Sequence, residues 1–194
     1  MELGDETVLV AGASGDTGTE ILDYLKGTEA EVKALTRSEE RSKELFEAGA
    51  DEVVVDDLFD PDDADEAVTG VDVVLSAVGS NPKQILTEDE FVDGTGNVNL
   101  ARAADESGVR HFVMESAIGV GDEQKGIFGA SLDLVLSPIQ EAKADAEKEL
   151  NRLDLCHTVL RPGALSPVRL APSPQVQEAG SKLWGGGSRM QVVD

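Results

Sequence analysis

The sequence predicts an α/β fold, a doubly wound parallel sheet in the strand order 3-2-1-4-5-6. Three observations carry that expectation. Short runs rich in valine and leucine alternate with segments whose apolar residues recur at helical spacing. The first run passes at once into a glycine-rich turn. A length of 194 residues suits one such domain rather than two.

The elements read as follows. Thr7-Val8-Leu9-Val10-Ala11 is a short apolar run closed by glycines, a buried strand. Residues 17–26 carry Ile21, Leu22 and Leu25 on one helical face. Residues 31–35 make a second strand. Ser38 is placed to cap a helix that turns Leu45 and Phe46 inward and ends at Gly49. Val53-Val54-Val55 is a third strand, and Pro61 opens a short helix that stops near Gly70. Residues 71–77 form a fourth strand, residues 90–106 a longer helix ended by Gly108, and residues 111–115 a fifth strand. Ala142, Ala146, Leu150 and Leu153 place a helix in 138–153. Thr158-Val159-Leu160 is the sixth strand, stopped by Arg161-Pro162-Gly163.

The chain therefore divides into a nucleotide-binding domain over 1–165 and an irregular tail over 166–194, either an extension or a truncated substrate region. Residues 1–161 contain 37 of the 39 acidic residues, whereas four of the seven prolines fall at or after Pro162, followed by Gly185-Gly186-Gly187. No periodic core pattern is visible there. Parallel strands need right-handed crossovers, and ligands of such sheets lie beyond the carboxyl ends of the strands.

Bulk chemistry narrows the partners. The net charge of −23 and pI near 4.2 repel phosphates and anionic lipid heads, so neither nucleic acid nor a membrane is expected. Acids spread along the chain suit a salt-adapted, halophilic host. No run approaches the roughly 18–20 apolar residues of a membrane span, the start carries no signal-peptide pattern, and the single Cys156 excludes an internal disulfide. These features suggest a cytoplasmic protein whose partner is a small-molecule substrate. They leave its oligomeric state open.

Gly12-Ala13-Ser14-Gly15-Asp16-Thr17-Gly18 joins the first strand to the first helix in a GxxGxxG spacing. Gly12 permits the tight turn, Gly15 lets backbone approach a pyrophosphate, and Gly18 lets the helix pack on the strand. The helix start then offers N–H groups and a positive dipole end to the phosphates. Asp16 suits this only if it points to solvent or caps the helix. The second strand ends Thr36-Arg37-Ser38, where an NAD site usually carries an acid. A guanidinium at Arg37, with the Ser38 hydroxyl and Arg41 within reach, fits a 2′-phosphate. The cofactor expected is NADP(H), with NAD(H) the alternative. In Asp56-Asp57-Leu58, Asp57 is placed to accept from an adenine amino group. After the fourth strand, Ser76-Ala77-Val78-Gly79 leaves room for a ribose.

Taken in order, these motifs resemble those of the atypical short-chain dehydrogenase/reductase superfamily, close to its NmrA-like and NAD(P)H-binding sugar-epimerase-like proteins. Asp93 with Gly96-Asn97, residues 109–116, Lys143 with Glu147, and the run from Thr158 through Arg161-Pro162-Gly163 complete the likeness, which covers about residues 6–165. The resemblance implies NADP(H) extended across the sheet. It also implies catalytic roles near the nicotinamide for Ser116 and for Lys143, the latter also holding the ribose. Many members place a tyrosine four residues before that lysine; here the position is Ile139, and the chain's only tyrosine is Tyr24. The leading expectation is an NADP(H)-dependent oxidoreductase without the usual acid/base tyrosine. The alternative is a non-catalytic redox sensor or regulator. Residues 119–137 could form a lid. His111 reads as structural, Cys156 and His157 point to opposite faces, and no residue spacing suggests a metal.

Overall fold

The computed structural model describes residues 4–81, 84, 87–121, 130–163, 175–178 and 189–193. Strands β1 (Thr7–Ala11), β2 (Glu31–Thr36), β3 (Glu52–Val55), β4 (Val73–Ser76), β5 (His111–Glu115) and β6 (His157–Pro162) alternate with helices. These are α1 (Asp16–Leu25), α2 (Ser42–Ala48), α3 (Pro61–Ala67), α4 (Thr95–Ser107) and α5 (Ala130–Leu150). The six strands pair in parallel in the order β3-β2-β1-β4-β5-β6, as expected from the alternation. The chain winds outward from β1 to β3, returns, and continues through β4 on the other side. The crevice between β1 and β4 is the switch point.

Strand alternation sorts the core into two layers. Val8, Val10, Val32 and Ala34 face α1 and α2, meeting Leu22, Leu25 and Leu45. Leu9, Leu35, Val74, Phe112, Met114 and Val159 face α3, α4 and α5, meeting Leu100, Ala104, Ala146 and Leu150. Each large side chain buried this way contributes about 1.5–3 kcal/mol, which makes the sheet a firm platform for the loops at its carboxyl edge.

Several local expectations change. Phe46 is half exposed while Leu45 is buried. Adjacent helical residues lie about 100° apart, and a seven-residue helix packs only one narrow face. The fourth helix begins at Thr95 rather than 90, because residues 90–94 form a turn that lays Gly94 against Ala142. Helix α5 starts eight residues before Pro138, which lies inside it. That helix takes up part of the expected lid, and residues 122–129 lie outside the described residues. In the tail, expected to be irregular, β7 (Gln175–Glu178) and β8 (Arg189–Val193) extend the sheet. Strand β8 pairs antiparallel with β6, and β7 lies outside it. Backbone pairing to the open edge of β6 supplies the order that side-chain pattern did not signal.

At the amino end of β5, the His111 ring sits 3.1 Å from Cys156 Sγ and 3.0 Å from Thr158 Oγ1. It ties β5 to β6 at the end of the sheet away from the glycine turn. Among the described residues no helix is long and apolar enough to cross a membrane.

Candidate functional site

The turn after β1 is shaped by what its glycines touch. Gly12 has φ +74°, and a Cβ there would lie 2.6 Å from the Ala77 carbonyl oxygen. A Cβ on Gly18 would lie 2.3 Å from the Gly12 oxygen and 2.7 Å from Ala13 Cα. Those two glycines weld the turn to β4 and to α1. A Cβ on Gly15 would meet only the Gly12 oxygen, at 3.3 Å, so its outer side is open. Gly15 also caps α1 with no side-chain hydrogen bond, leaving the first-turn N–H groups without a capping partner.

A cleft of about 440 Å³ opens beside this turn. Gly12, Ser14 and Gly15 form one wall, Arg37 and Ser38 another, and Asp56 and Leu58 a third; Ala77, Val78 and Gly79 close it. Thus nine of the site residues expected from sequence converge here, from the ends of β1, β2, β3 and β4, with Asp56 beside them. Gly18 packs beneath, and exposed Asp16 lies in the first turn of α1 outside the cleft. Leu35, Asn81, Gln84 and Val92 also line it. Leu35 belongs to β2 itself, and Asn81, Gln84 and Val92 come from the segment between β4 and α4, so no local motif marked them.

Arg37 lies exposed at the cleft edge and makes no ion pair among the described residues. Arg41 is engaged instead, with Nε 2.5 Å from Glu44 and Nη2 3.4 Å from the Ser14 carbonyl. The two acids after β3 divide. Asp57 is exposed, and its Oδ1 accepts from the Phe59 N–H at 3.2 Å. Asp56 faces the cleft, and its Oδ2 is buried without a partner. Burial, reinforced by Asp63 and Glu66, raises the Asp56 pKa above the usual carboxylate range. The acid that points inward is therefore Asp56, not Asp57. The other unpartnered buried oxygen among the described residues is Ser80 Oγ, just past Gly79.

Beyond Ala77 the site continues on the α1 face of the sheet. Ala77 and Thr17 border an apolar cavity of about 320 Å³ walled by Ile21, Leu75, Val113, Leu160 and Pro162. The one ionisable group lining it among the described residues is Glu115, at the end of β5. Burial raises the pKa of that carboxyl and the nearby charge of Asp93 does so further, against the lowering pull of Lys143 and of a hydrogen bond from Thr17.

On the opposite face, Ser116 is buried and its hydroxyl donates to Glu147 Oε1 at 2.5 Å. Glu147 is gripped by Arg161, whose Nε donates to Oε1 at 3.0 Å and whose Nη2 pairs with Oε2. Lys143 pairs with the buried Asp93 at 3.2 Å and donates to the Glu115 carbonyl at 3.1 Å. Asp93 also accepts from the Ser80 N–H at 2.7 Å, and Asn97 accepts from the Ser76 hydroxyl at 2.6 Å. Ser116 and Lys143 thus reach the same end of β5, each already held by a buried carboxylate.

A parallel sheet with a glycine turn at its switch point, an open helix start and a lined cleft defines a Rossmann-type dinucleotide-binding protein. The chain belongs to the NAD(P)H-binding family, whose model matches residues 12–194. It is similar to an uncharacterised chloroplastic protein of Arabidopsis thaliana, at 32% identity over 81% of this chain and 59% of that one. It also resembles an NAD(P)H azoreductase of Xenophilus azovorans, at 25% identity over 89% of this chain and 53% of that one. The solved structure of a putative NAD-dependent epimerase/dehydratase from Bacillus halodurans superposes with a TM-score of 0.69 at 31% identity, covering 83% of this chain and 72% of the other. The chain spans little more than half the length of the Arabidopsis and Xenophilus relatives.

Proposed function

We propose that this protein is an NADP(H)-dependent oxidoreductase of the atypical short-chain type, acting on a small-molecule acceptor. The observation that carries the cofactor preference is Arg37, without an ion pair among the described residues, at the cleft edge beside Ser38 where β2 ends. A 2′-phosphate there would gain an ion pair with bidentate hydrogen bonds, whereas a neutral ribose hydroxyl offers no charge to pair.

The residues present fit the nucleotide. The open side of Gly15 and the N–H groups opening α1 would take the pyrophosphate. The unpartnered Asp56 oxygen would accept from the adenine amino group against Leu58, and the ribose would lie along Ala77, Val78 and Gly79. The nicotinamide half would extend past Ala77 to the carboxyl end of β5, between the apolar cavity on one face and Lys143 and Ser116 on the other. Bound in that way, the reduced nucleotide supplies a hydride. Lys143 and Asp93 hold the end of β5, and Glu147 fixes the Ser116 hydroxyl. Residues 1–165 would form the binding domain, with the remainder contributing to the acceptor side. The azoreductase relative supports reductive chemistry. A cytoplasmic, salt-adapted setting fits the single cysteine and the dispersed acids.

A non-catalytic nucleotide sensor is favoured by one observation, Ile139 in place of the usual tyrosine. Two measurements decide. Thermal-shift titrations should show NADP⁺ stabilising more than NAD⁺, with Arg37→Ala erasing the difference; equal stabilisation of the wild type by both refutes the preference. NADPH oxidation with a panel of quinones, flavins and aldehydes should show turnover, and tight binding without turnover identifies the sensor.

A further inference from the structure

A reductase that delivers a hydride to a carbonyl must also deliver a proton, and the usual donor is missing here. Tyr24 cannot substitute, because it is 82% exposed on α1 and lines neither cavity. The Ser116 proton is committed to Glu147 and the side chain is buried. Lys143 is committed to Asp93 and to the Glu115 carbonyl.

Glu115 is placed differently. Among the described residues it is the one ionisable side chain lining the apolar cavity, and that cavity adjoins the nucleotide cleft across Ala77. It stands at the carboxyl end of β5, where parallel sheets place their chemistry. Its register partner on β6 is Leu160, which lines the same cavity. We propose, building on the oxidoreductase reading, that Glu115 is the catalytic proton donor for a neutral carbonyl acceptor, a ketone or quinone, bound in this cavity. As the hydride reaches the acceptor, the carbonyl π pair becomes an O–H bond with the Glu115 proton. The carboxylate left behind regains a proton from water, so each turnover consumes one hydride and one proton.

The surroundings favour the protonated form. Among the described residues, those that share the cavity with it from β4, the segment after it and β6 are Leu75, Ser76, Ala77, Leu160 and Pro162, none of them charged. From α1 it meets the Thr17 hydroxyl. Among the described residues the charges that bear on it are Lys143 on α5, which favours the carboxylate, and Asp93 ahead of α4, which with burial, the largest influence, favours the protonated form.

The test separates a proton donor from a structural acid. In nucleotide-free protein, carbon-13 NMR of the glutamate carboxyls, assigned with Glu115→Gln, should find Glu115 titrating above the exposed glutamates. Titration together with them overturns the proposal, since no proton would then be held. Turnover is compared on a quinone, which needs hydride and proton, and on an N-methylacridinium cation, which needs hydride alone. Glu115→Gln should lower the quinone-to-acridinium rate ratio about 100-fold or more, and Glu115→Asp should restore part of it. The wild-type quinone rate should fall as pH rises through the Glu115 pKa, a limb absent in Glu115→Gln. An unchanged ratio, with both rates equally reduced or equally intact, overturns the assignment while leaving the oxidoreductase reading standing. A wild type that reduces neither acceptor overturns that reading, and the assignment with it.

Discussion

Replacing Gly12 by alanine tests the welded turn on which nucleotide binding rests. Gly108, the last-turn cap of α4, provides a matched control, because both glycines have φ +74°. An alanine in that left-handed region costs about 1–2 kcal/mol at either position. The small unfolded-state gain of Gly→Ala also applies equally and cancels in the comparison. The positions differ in space. A Cβ at 108 meets nothing within 4 Å, whereas one at 12 falls 2.6 Å from the Ala77 oxygen and 2.8 Å from its carbonyl carbon. Those are backbone atoms of the segment leaving β4, and they cannot swing aside as a side chain could. Overpacking of this kind adds about 1–3 kcal/mol. Each kcal/mol is worth about 2–4 °C in Tm for a chain of this size. Gly108→Ala should therefore melt about 2–8 °C below the wild type and Gly12→Ala about 4–20 °C below. Thermal denaturation followed by circular dichroism reads the difference. Calorimetry with NADP⁺ should show binding lost in Gly12→Ala and kept in Gly108→Ala. Two variants that melt together, or a Gly12→Ala protein that binds like the wild type, would refute the argument.

Three further outcomes are expected. Asp56→Ala should weaken NADP⁺ binding about tenfold, the worth of one hydrogen bond, without lowering the Tm of the nucleotide-free protein, whereas Asp57→Ala should leave affinity intact; the reverse pattern in titration calorimetry would restore Asp57 as the inward acid. Arg161→Ala strands the buried Glu147 carboxylate and should cost about 3–5 kcal/mol in urea denaturation, while the paired change Arg161→Met with Glu147→Met should recover most of it. For Glu115 the folded-state pKa lies above the unfolded one, so its contribution to stability is complete below the ordinary glutamate pKa of about 4.3 and is lost as pH rises through the raised value. Glu115→Gln should accordingly gain stability relative to the wild type as pH increases from about 4 to 8, and a constant gap in Tm across that range would contradict the sign.

Local chemistry made most of the scaffold legible. The valine-rich runs and their spacing specify β1 to β6 and the strand order, because a parallel sheet with right-handed crossovers leaves few ways to connect them. The glycine turn was equally readable, since close backbone approach and positive φ restrict the residue types that fit. Ser14, Arg37, Ser38, Leu58 and the 77–79 segment reach the cleft for the same reason: each directly follows a strand whose carboxyl end points there.

Pattern could not settle what depends on which way a side chain turns or on what returns from far along the chain. Asp56 and Asp57 are chemically identical neighbours, and only the departure of the chain from β3 sends one inward and the other to solvent. Phe46 reads as core until the short helix exposes it. Glu115 looks like a surface acid ending a strand, yet its neighbours across the sheet make it, among the described residues, the lone acid of an apolar cavity. The grip of Glu147 on Ser116 and Arg161 joins β5, α5 and β6 over 31 and 14 residues of chain. Strand β8 is ordered by hydrogen bonds from β6 that carry no side-chain signature. Sequence pattern reports forces acting within a few residues; burial, charge pairing and edge pairing arise only once distant segments meet.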